Sequence, residues 1–278
     1  MGFVLQCGDK ALDLNYPRIM GILNITPDSF SDGGFFMPLD KALAQAERMV
    51  EEGASIIDVG GESTRPGAQP VSVQQELDRV IPVVEALGSR LDAIISIDTS
   101  KQEVMRAAVA AGAGMVNDVC ALQAEGAVSA LRELEVPVCL MHMQGEPRSM
   151  QSNPHYTNVV AEVISFLRQR VEACVSGGID AANIVLDPGF GFGKGISHNY
   201  SLIKHLEEFV EMGYPLLVGL SRKSMIGTVL DRPVNERVYG SIALAALACC
   251  SGAHILRVHD VAATRDAIKV CYAAQHAD

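Results

Sequence analysis

The chain has no long apolar run. Its most apolar stretch, Ser241 to Cys250, is roughly half the ~20 residues that a lipid-spanning helix needs, so no membrane partner is expected. Near the N-terminus no basic segment is followed by an apolar stretch and a small-residue cleavage site, so no secretory signal is expected either. The seven cysteines are odd in number and scattered, and none forms a C-x-x-C pair. That argues against a disulfide framework and a zinc site and fits a reducing cytoplasm, with each thiol a small buried apolar residue. Cations are outnumbered: the formal charge is −11 and the isoelectric point is near 5.1. This disfavours nonspecific nucleic-acid binding, which needs a basic face, but a local cation cluster can still hold a small anion. Low-complexity tracts and composition breaks are also missing, and residues 1–278 are expected to form a single domain.

What the chain does have is a series of short apolar runs that each stop on a polar residue. Ile19 to Leu23 stops on Asn24, Ile56-Ile57 on Asp58, and Ile94 to Ile97 on Asp98. Met115-Val116 stops on Asn117-Asp118, Val138 to Met141 on His142, and Ile184 to Leu186 on Asp187. Leu216 to Leu220 stops on Ser221-Arg222-Lys223, and Ile255 to Val258 on His259-Asp260. If parallel strands carry these runs, all the polar groups emerge at one end of the sheet, where α/β barrels place their active sites.

Helical spacing fills the gaps between the runs. Leu39, Leu43, Ala46, Met49 and Val50 form one stripe, which Gly53 ends. Ser72 with Gln75 forms a capping box for a helix that buries Leu77, Val80, Ile81, Val84 and Leu87 and stops at Gly88. Ser100 with Glu103 repeats the device. A helix over 158–174 places Val159, Val163, Phe166, Leu167 and Val171 on one stripe. Ser197 is expected to cap the next helix, which buries Leu202, Ile203, Leu206 and Phe209, and Asp260 the last. Repeated βα units give a parallel sheet, and eight of them favour a closed (β/α)8 TIM barrel. Phe3 to Leu14 reads as a hairpin around Gly8-Asp9 that closes the barrel's bottom. Three strand-to-helix loops, 25–38, 60–71 and 143–156, are long enough to be binding loops or lids.

Asp98, Asn117 and Asp187 would face one cavity. Carboxylates accept paired N–H donors and an amide both gives and accepts, which suits a flat heterocycle with several N–H groups. The alternative is that each Asp caps the helix after it. The turn Asp187-Pro188-Gly189-Phe190-Gly191-Phe192-Gly193-Lys194 lets backbone approach a ligand, or is an ordinary loop; it matches neither a Walker loop nor the dinucleotide fingerprint. Ser221-Arg222-Lys223-Ser224 places two cations beside a helix start, an anion site. Arg257 and His259 share a strand face, and with Arg65 they could hold a phosphorylated or carboxylated ligand. Asn24 either completes a Mg²⁺ shell with substrate oxygens or fixes the following turn. His142 is a general base or a structural histidine.

Together these segments resemble the dihydropteroate synthases. The carriers are Gly21 to Gly34, Asp58 to Gly67, Ser96 to Thr99, Asn117-Asp118, the turn from Asp187, Ser221 to Ser224, and Arg257 to Asp260. The resemblance implies condensation of 6-hydroxymethyl-7,8-dihydropterin diphosphate with 4-aminobenzoate, giving 7,8-dihydropteroate and diphosphate, in a sulfonamide-sensitive, homodimeric enzyme that uses Mg²⁺. Carried over residue by residue, it puts the pterin on Asp98, Asn117, Met141, Asp187 and Lys223. It puts the diphosphate on Thr64, Arg257, Val258 and His259, with Mg²⁺ near Asn24. The aminobenzoate falls beside Phe30, Arg65, Pro66, Phe190 and Ser224, and Asp32, Arg65 and Lys223 are the catalytic candidates. The apolar Ser241 to Ala248 helix is a candidate subunit contact. The competing readings are a pterin-dependent methyltransferase, which has no use for the diphosphate and aminobenzoate motifs, and a non-catalytic pterin-binding paralogue.

Overall fold

A computed structural model describes residues 2–25, 39–63, 68–145, 150–151 and 153–277. The chain opens with β1 (Val4–Cys7) and β2 (Lys10–Asp13), an antiparallel hairpin turning at Gly8-Asp9. Strands and helices then alternate: β3 (Arg18–Asn24), α1 (Leu39–Glu52), β4 (Ile56–Gly60), α2 (Val73–Arg90), β5 (Ile94–Asp98), α3 (Gln102–Ala110) and β6 (Met115–Asp118). The second half runs α4 (Ala127–Leu134), β7 (Val138–Met141), α5 (Val159–Ser176), β8 (Ile184–Asp187), α6 (Ile196–Lys204), α7 (Leu206–Val210) and β9 (Leu217–Val218). It ends with α8 (Ser224–Leu230), α9 (Val238–Cys250), β10 (Ile255–Val258) and α10 (Val261–Gln275). The strands β3 to β10 are all parallel, in the order β8-β7-β6-β5-β4-β3-β10-β9. A parallel bridge between Leu186 and Leu216 joins the two ends, so the sheet closes as the expected TIM barrel.

Alternation along the strands sorts side chains into two cores. Ile19, Leu23, Ile57, Val59, Ile95, Ile97, Leu140, Leu186, Val218 and Leu256 pack outward against the helices. Met20, Ile56, Ile94, Met115, Cys139, Val185, Leu217 and Ile255 point inward and form a separate plug with Leu5, Cys7, Leu12 and Leu14 of the hairpin. The hairpin therefore floors the barrel, and the open end lies at the strands' C-terminal tips.

Several helix ends depart from the expected ones. The Ser72–Gln75 capping box forms as read, but α2 continues through Gly88 to Arg90. Ser100 caps nothing: α3 starts at Gln102, Thr99 Oγ1 accepts the Lys101 N–H, and the Lys101 amine is drawn away to Glu62 and Glu76. Helix α6 begins before Ser197, with Gly195 at its cap position donating to the His198 ring. Asp260 stands at the start of α10, but its carboxylate is committed to Arg222 rather than to the helix. Cys7, Cys139, Cys174, Cys249 and Cys271 are buried as expected, whereas Cys120 is half-buried and Cys250 is exposed on the outer side of α9.

Candidate functional site

Two residues above the apolar plug, the same inward face turns polar. Asp58 and Ser96 are register partners, and so are Asp98 and Asn117. Met141 and Asp187 are partners in turn, and Arg257 lies two residues beyond inward-facing Ile255 on β10. The sequence thus changes from Ile, Met, Val and Cys to Asp, Asn, Ser and Arg over one step of period two. One row of each strand fills the barrel and the next row lines its mouth.

The mouth is organised around Arg257. Its Nε donates to Asp58 Oδ2 at 2.6 Å and its Nη2 to Asp98 Oδ2 at 2.7 Å, leaving Nη1 for a further acceptor. Asn117 Nδ2 also donates to Asp58 Oδ2, at 3.0 Å. Asp58 is fully buried, and its Oδ1 and the neighbouring Ser96 Oγ have no hydrogen-bond partner among the described residues. Burial pushes Asp98 up to about 7, with Arg257 pulling it down and Asp58 pushing it further up. Burial draws the guanidinium down, but Asp58 and Asp98 outweigh it and Arg257 stays charged. Asn24 closes this side. A side chain at Gly60 would meet Asn24 Oδ1 at 3.6 Å and Asp98 Oδ2 at 3.7 Å, so the missing side chain leaves room between them.

Across the mouth, Asp187 Oδ1 accepts the Gly189 N–H at 2.7 Å. Burial raises the Asp187 pKa, against the opposing pull of Lys223. The Lys223 amine donates to the Phe190 carbonyl and lies 4.8 Å from the centroid of the Phe192 ring. Burial pushes its pKa down to about 8, with Asp187 opposing. His259 sits on the rim, its Nδ1 3.0 Å from Ser221 Oγ and its N–H donating to that oxygen at 3.2 Å. Ser224 is exposed at the start of α8.

Asp98, Asn117, Asp187, Lys223 and Arg257 are therefore brought together as the strand-end pattern implied, with Met141 beside Asp187 where the family resemblance put it, and neither Asp98 nor Asp187 caps a helix. Other expected residues fall elsewhere. The Val258 side chain points outward into the helix-facing core, because it alternates with Arg257. Phe190 is completely buried in that same core, so its ring cannot line the mouth, and half-exposed Phe192 stands there instead. Arg222 is not a second free cation. It adopts a left-handed backbone (φ 56°) and forms a two-pronged pair with Asp260 at 3.0 and 2.5 Å. His142 is structural: it is buried, packed edge-on to Phe166 at 4.9 Å, and pushed down to about 3 by burial. Phe30, Asp32, Thr64, Arg65 and Pro66 lie outside the described residues.

The two phenylalanines give a direct check on stability. Phe190→Ala is expected to cost about 3–5 kcal/mol in a urea unfolding series, the range for emptying a buried aromatic site. Phe192→Ala should cost under about 1 kcal/mol, as for partly exposed positions.

Asp58 was given no specific role from sequence, and Phe192 and the ion-paired Lys101 were not singled out. Asp58 ends one of the apolar runs, and that was the available signal. Phe192 is separated from Phe190 by a single glycine, and nothing in the spacing tells the two apart. Lys101 reaches both Glu62 and fully buried Glu76, while Glu62 also accepts the Val71 N–H at 3.1 Å. Arg79 Nη1 donates to the Gly61 carbonyl at 2.7 Å, so both roots of the loop after β4 are tied down. Among the described residues no helix is long and apolar enough to cross a membrane, and no group of His, Cys, Asp or Glu forms a metal cluster.

The family model described as pterin binding enzyme matches residues 20–259. The dihydropteroate synthase of Haemophilus influenzae is 58% identical over 273 residues, covering 98% of this chain and 99% of that protein. The Yersinia pestis dihydropteroate synthase, solved with a sulfonamide drug complex, superposes with a TM-score of 0.95 at 50% identity, over 99% of this chain and 100% of that one. The Xanthomonas albilineans dihydropteroate synthase, solved with 4-aminobenzoic acid, gives a TM-score of 0.95 at 51% identity over 100% of both chains.

Proposed function

The chain belongs to the pterin binding enzymes, among the dihydropteroate synthases, and we infer from that membership and from the mouth described above how it works. It is a transferase of folate biosynthesis. It joins 6-hydroxymethyl-7,8-dihydropterin diphosphate to 4-aminobenzoate, releases diphosphate, and is a target of sulfonamides. The observation that carries this is the convergence of Asp98, Asn117 and Asp187 with Lys223 and Arg257 at one end of the barrel. Residues 1–278 act as one unit in this account.

Asp98, Asn117 and Asp187 accept and donate along the pterin's N–H edges, Met141 packs beneath the ring, and Lys223 reaches its edge. Arg257, with Nη1 uncommitted, and His259 face the departing diphosphate, to which Thr64 adds a hydroxyl. Of Val258, only the backbone is available to that group. Breaking the C–O bond to diphosphate leaves a benzylic-type cation conjugated with the ring. The arylamine then forms the C–N bond and sheds a proton, so no serine or cysteine nucleophile is needed. The cations stabilise the charge that develops on the leaving group, and a carboxylate at Asp32 favours the cation left behind. The aminobenzoate lies between Phe30, Arg65 and Pro66 of the two loops and Phe192, its carboxylate toward Ser224. Phe192→Ala should therefore raise the KM for 4-aminobenzoate.

Asn24 offers one neutral oxygen, too little to hold Mg²⁺ by itself. It fits an ion whose other ligands are diphosphate oxygens and water. Bound there, Mg²⁺ would supply further neutralisation of the leaving charge. We also propose a cytoplasmic homodimer. Tyr239 and Leu247 on α9 and Val270 on α10 are large apolar side chains left exposed at 84%, 55% and 70%, a face suited to a second copy.

Titration of the site should show in the rate. Asp98 must be ionised to accept the ring's N–H pair, and Lys223 donates much more strongly when charged. kcat/KM for the pterin substrate should fall as pH drops through about 7 and again as it rises through about 8, giving a narrow bell. A flat profile between pH 6 and 9 would contradict those assignments. The reaction itself is tested by diphosphate release. Release that depends on 4-aminobenzoate and is inhibited by a sulfonamide is expected. Release indifferent to the arylamine, or none, would overturn the assignment.

A further inference from the structure

Lys194 ends the glycine-rich turn that leaves β8, and the reaction above does not use it. Its side chain is 3% exposed. Nζ lies 2.9 Å from His142 Nδ1, 3.3 Å from the His142 carbonyl, 2.8 Å from the Gly189 carbonyl and 3.0 Å from the Phe192 carbonyl. An ammonium's three hydrogens thus meet four acceptors drawn from two strand-end loops. Burial holds the Lys194 pKa well below the ordinary lysine value, with Asp187 opposing and Lys223 adding to the fall. The neutral His142 ring presents a lone pair at Nδ1.

Elsewhere in the seam the Tyr156 hydroxyl donates to the Gly193 carbonyl at 2.9 Å, Gln151 Nε2 donates to the Gly191 carbonyl, and backbone packs directly on backbone. A Cβ at Gly189 would collide with the His142 carbonyl oxygen, and one at Gly193 with that of Gln144. Both glycines adopt left-handed backbone, with φ of 69° and 62°. Asn199 holds the far side, accepting the Gly191 N–H at 2.7 Å and donating to the Lys194 carbonyl at 3.2 Å. Within the turn the carbonyls divide their partners. Gly189 and Phe192 face Lys194 below, while Phe190 faces Lys223 in the mouth. Two amines, the buried Lys194 and the half-buried Lys223, therefore grip the same turn from opposite sides.

We propose that Lys194 is a positioning residue for the ring-binding half of the site. By drawing the carbonyls of His142, Gly189 and Phe192 together, it turns the Phe190 carbonyl toward Lys223 and so sets Lys223 against Asp187. The inference rests on the assignment of Asp187 and Lys223 to the pterin.

The test is equilibrium binding of 6-hydroxymethylpterin by fluorescence, with steady-state turnover, for the wild-type chain, Lys194→Met and Lys194→Gln. Lys194→Met should weaken pterin binding by about tenfold or more, since small displacements of positioning groups are costly, while kcat at saturation of both substrates falls less than about threefold. Lys194→Gln, which keeps some of the hydrogen bonds, should fall between. Unchanged pterin affinity in a folded Lys194→Met chain would overturn the proposal, as would a loss confined to kcat. If neither variant folds, Lys194 serves the barrel as a whole and the proposal is likewise overturned. Failure of the wild-type chain to bind the pterin would instead overturn the functional assignment.

Discussion

Arg257→Met should reduce turnover by about a thousandfold, the scale on which removing a preorganised charge from a developing anion acts. It should also destabilise the fold. Asp58 and Asp98 would be left as neighbouring buried acids without their shared cation, and breaking a buried pair from one side costs about 3–5 kcal/mol. The pH dependence distinguishes this from a simple packing defect. Asp98 is held up to about 7 even with the guanidinium in place, and without it Asp98 binds its proton more tightly still. The folded variant then carries more protons than the unfolded chain from about pH 4 upward to that raised pKa. Its stability should fall as pH rises through that window and recover in part on acidification toward pH 5. Urea unfolding of both proteins between pH 5 and 8 measures it, and a deficit independent of pH would show that the acids are not the cause.

Asp187→Asn should cost about a hundred- to thousandfold in kcat/KM for the pterin substrate, far more than loss of one charge in a solvated site would. The carboxylate is committed on both sides. Oδ1 accepts the Gly189 N–H, and the other oxygen is the one this reading assigns to the ring. An asparagine has one acceptor and one donor end, so whichever way it turns, an N–H confronts an N–H. Either the turn or the ring loses its acceptor, and the Lys223 ammonium loses its counter-charge. Pterin affinity by fluorescence should drop with kcat/KM, while the midpoint of thermal unfolding moves by only a few degrees. A variant that binds pterin as the wild type does would remove Asp187 from the ring's contacts.

Both effects depend on the polar row at the strand tips, and that row was legible in the sequence because strands impose a strict alternation. Asp98, Asn117, Asp187 and Arg257 sit at fixed offsets from apolar residues that had to be inside or outside, so the fold leaves them one direction to point. The same rule turns Val258 outward, a consequence that family resemblance alone overlooked. Where no period operates, the reading failed. Phe190 and Phe192 belong to a turn whose course is set by left-handed glycines, so nothing in the spacing says which ring is buried. Ser100, Ser197 and Asp260 each have the residue type of a cap. Their partners were taken, or the helix began elsewhere, because of groups distant in the chain: Lys101 with Glu76, and Arg222 with Asp260. Long-range ion pairs of this kind leave no local pattern. Lys194 is the extreme case, a cation whose acceptors become visible only when two loops are laid against each other.

The most direct measurement is a crystal structure of the chain with a bound pterin. The ring should lie inside the barrel's C-terminal mouth, its N–H edges against Asp98, Asn117 and Asp187 and its rim beside Lys223, with Arg257 drawn partly off Asp98. A pterin found outside that mouth, with Arg257 still clamped between Asp58 and Asp98 and Asp187 untouched, would contradict the account.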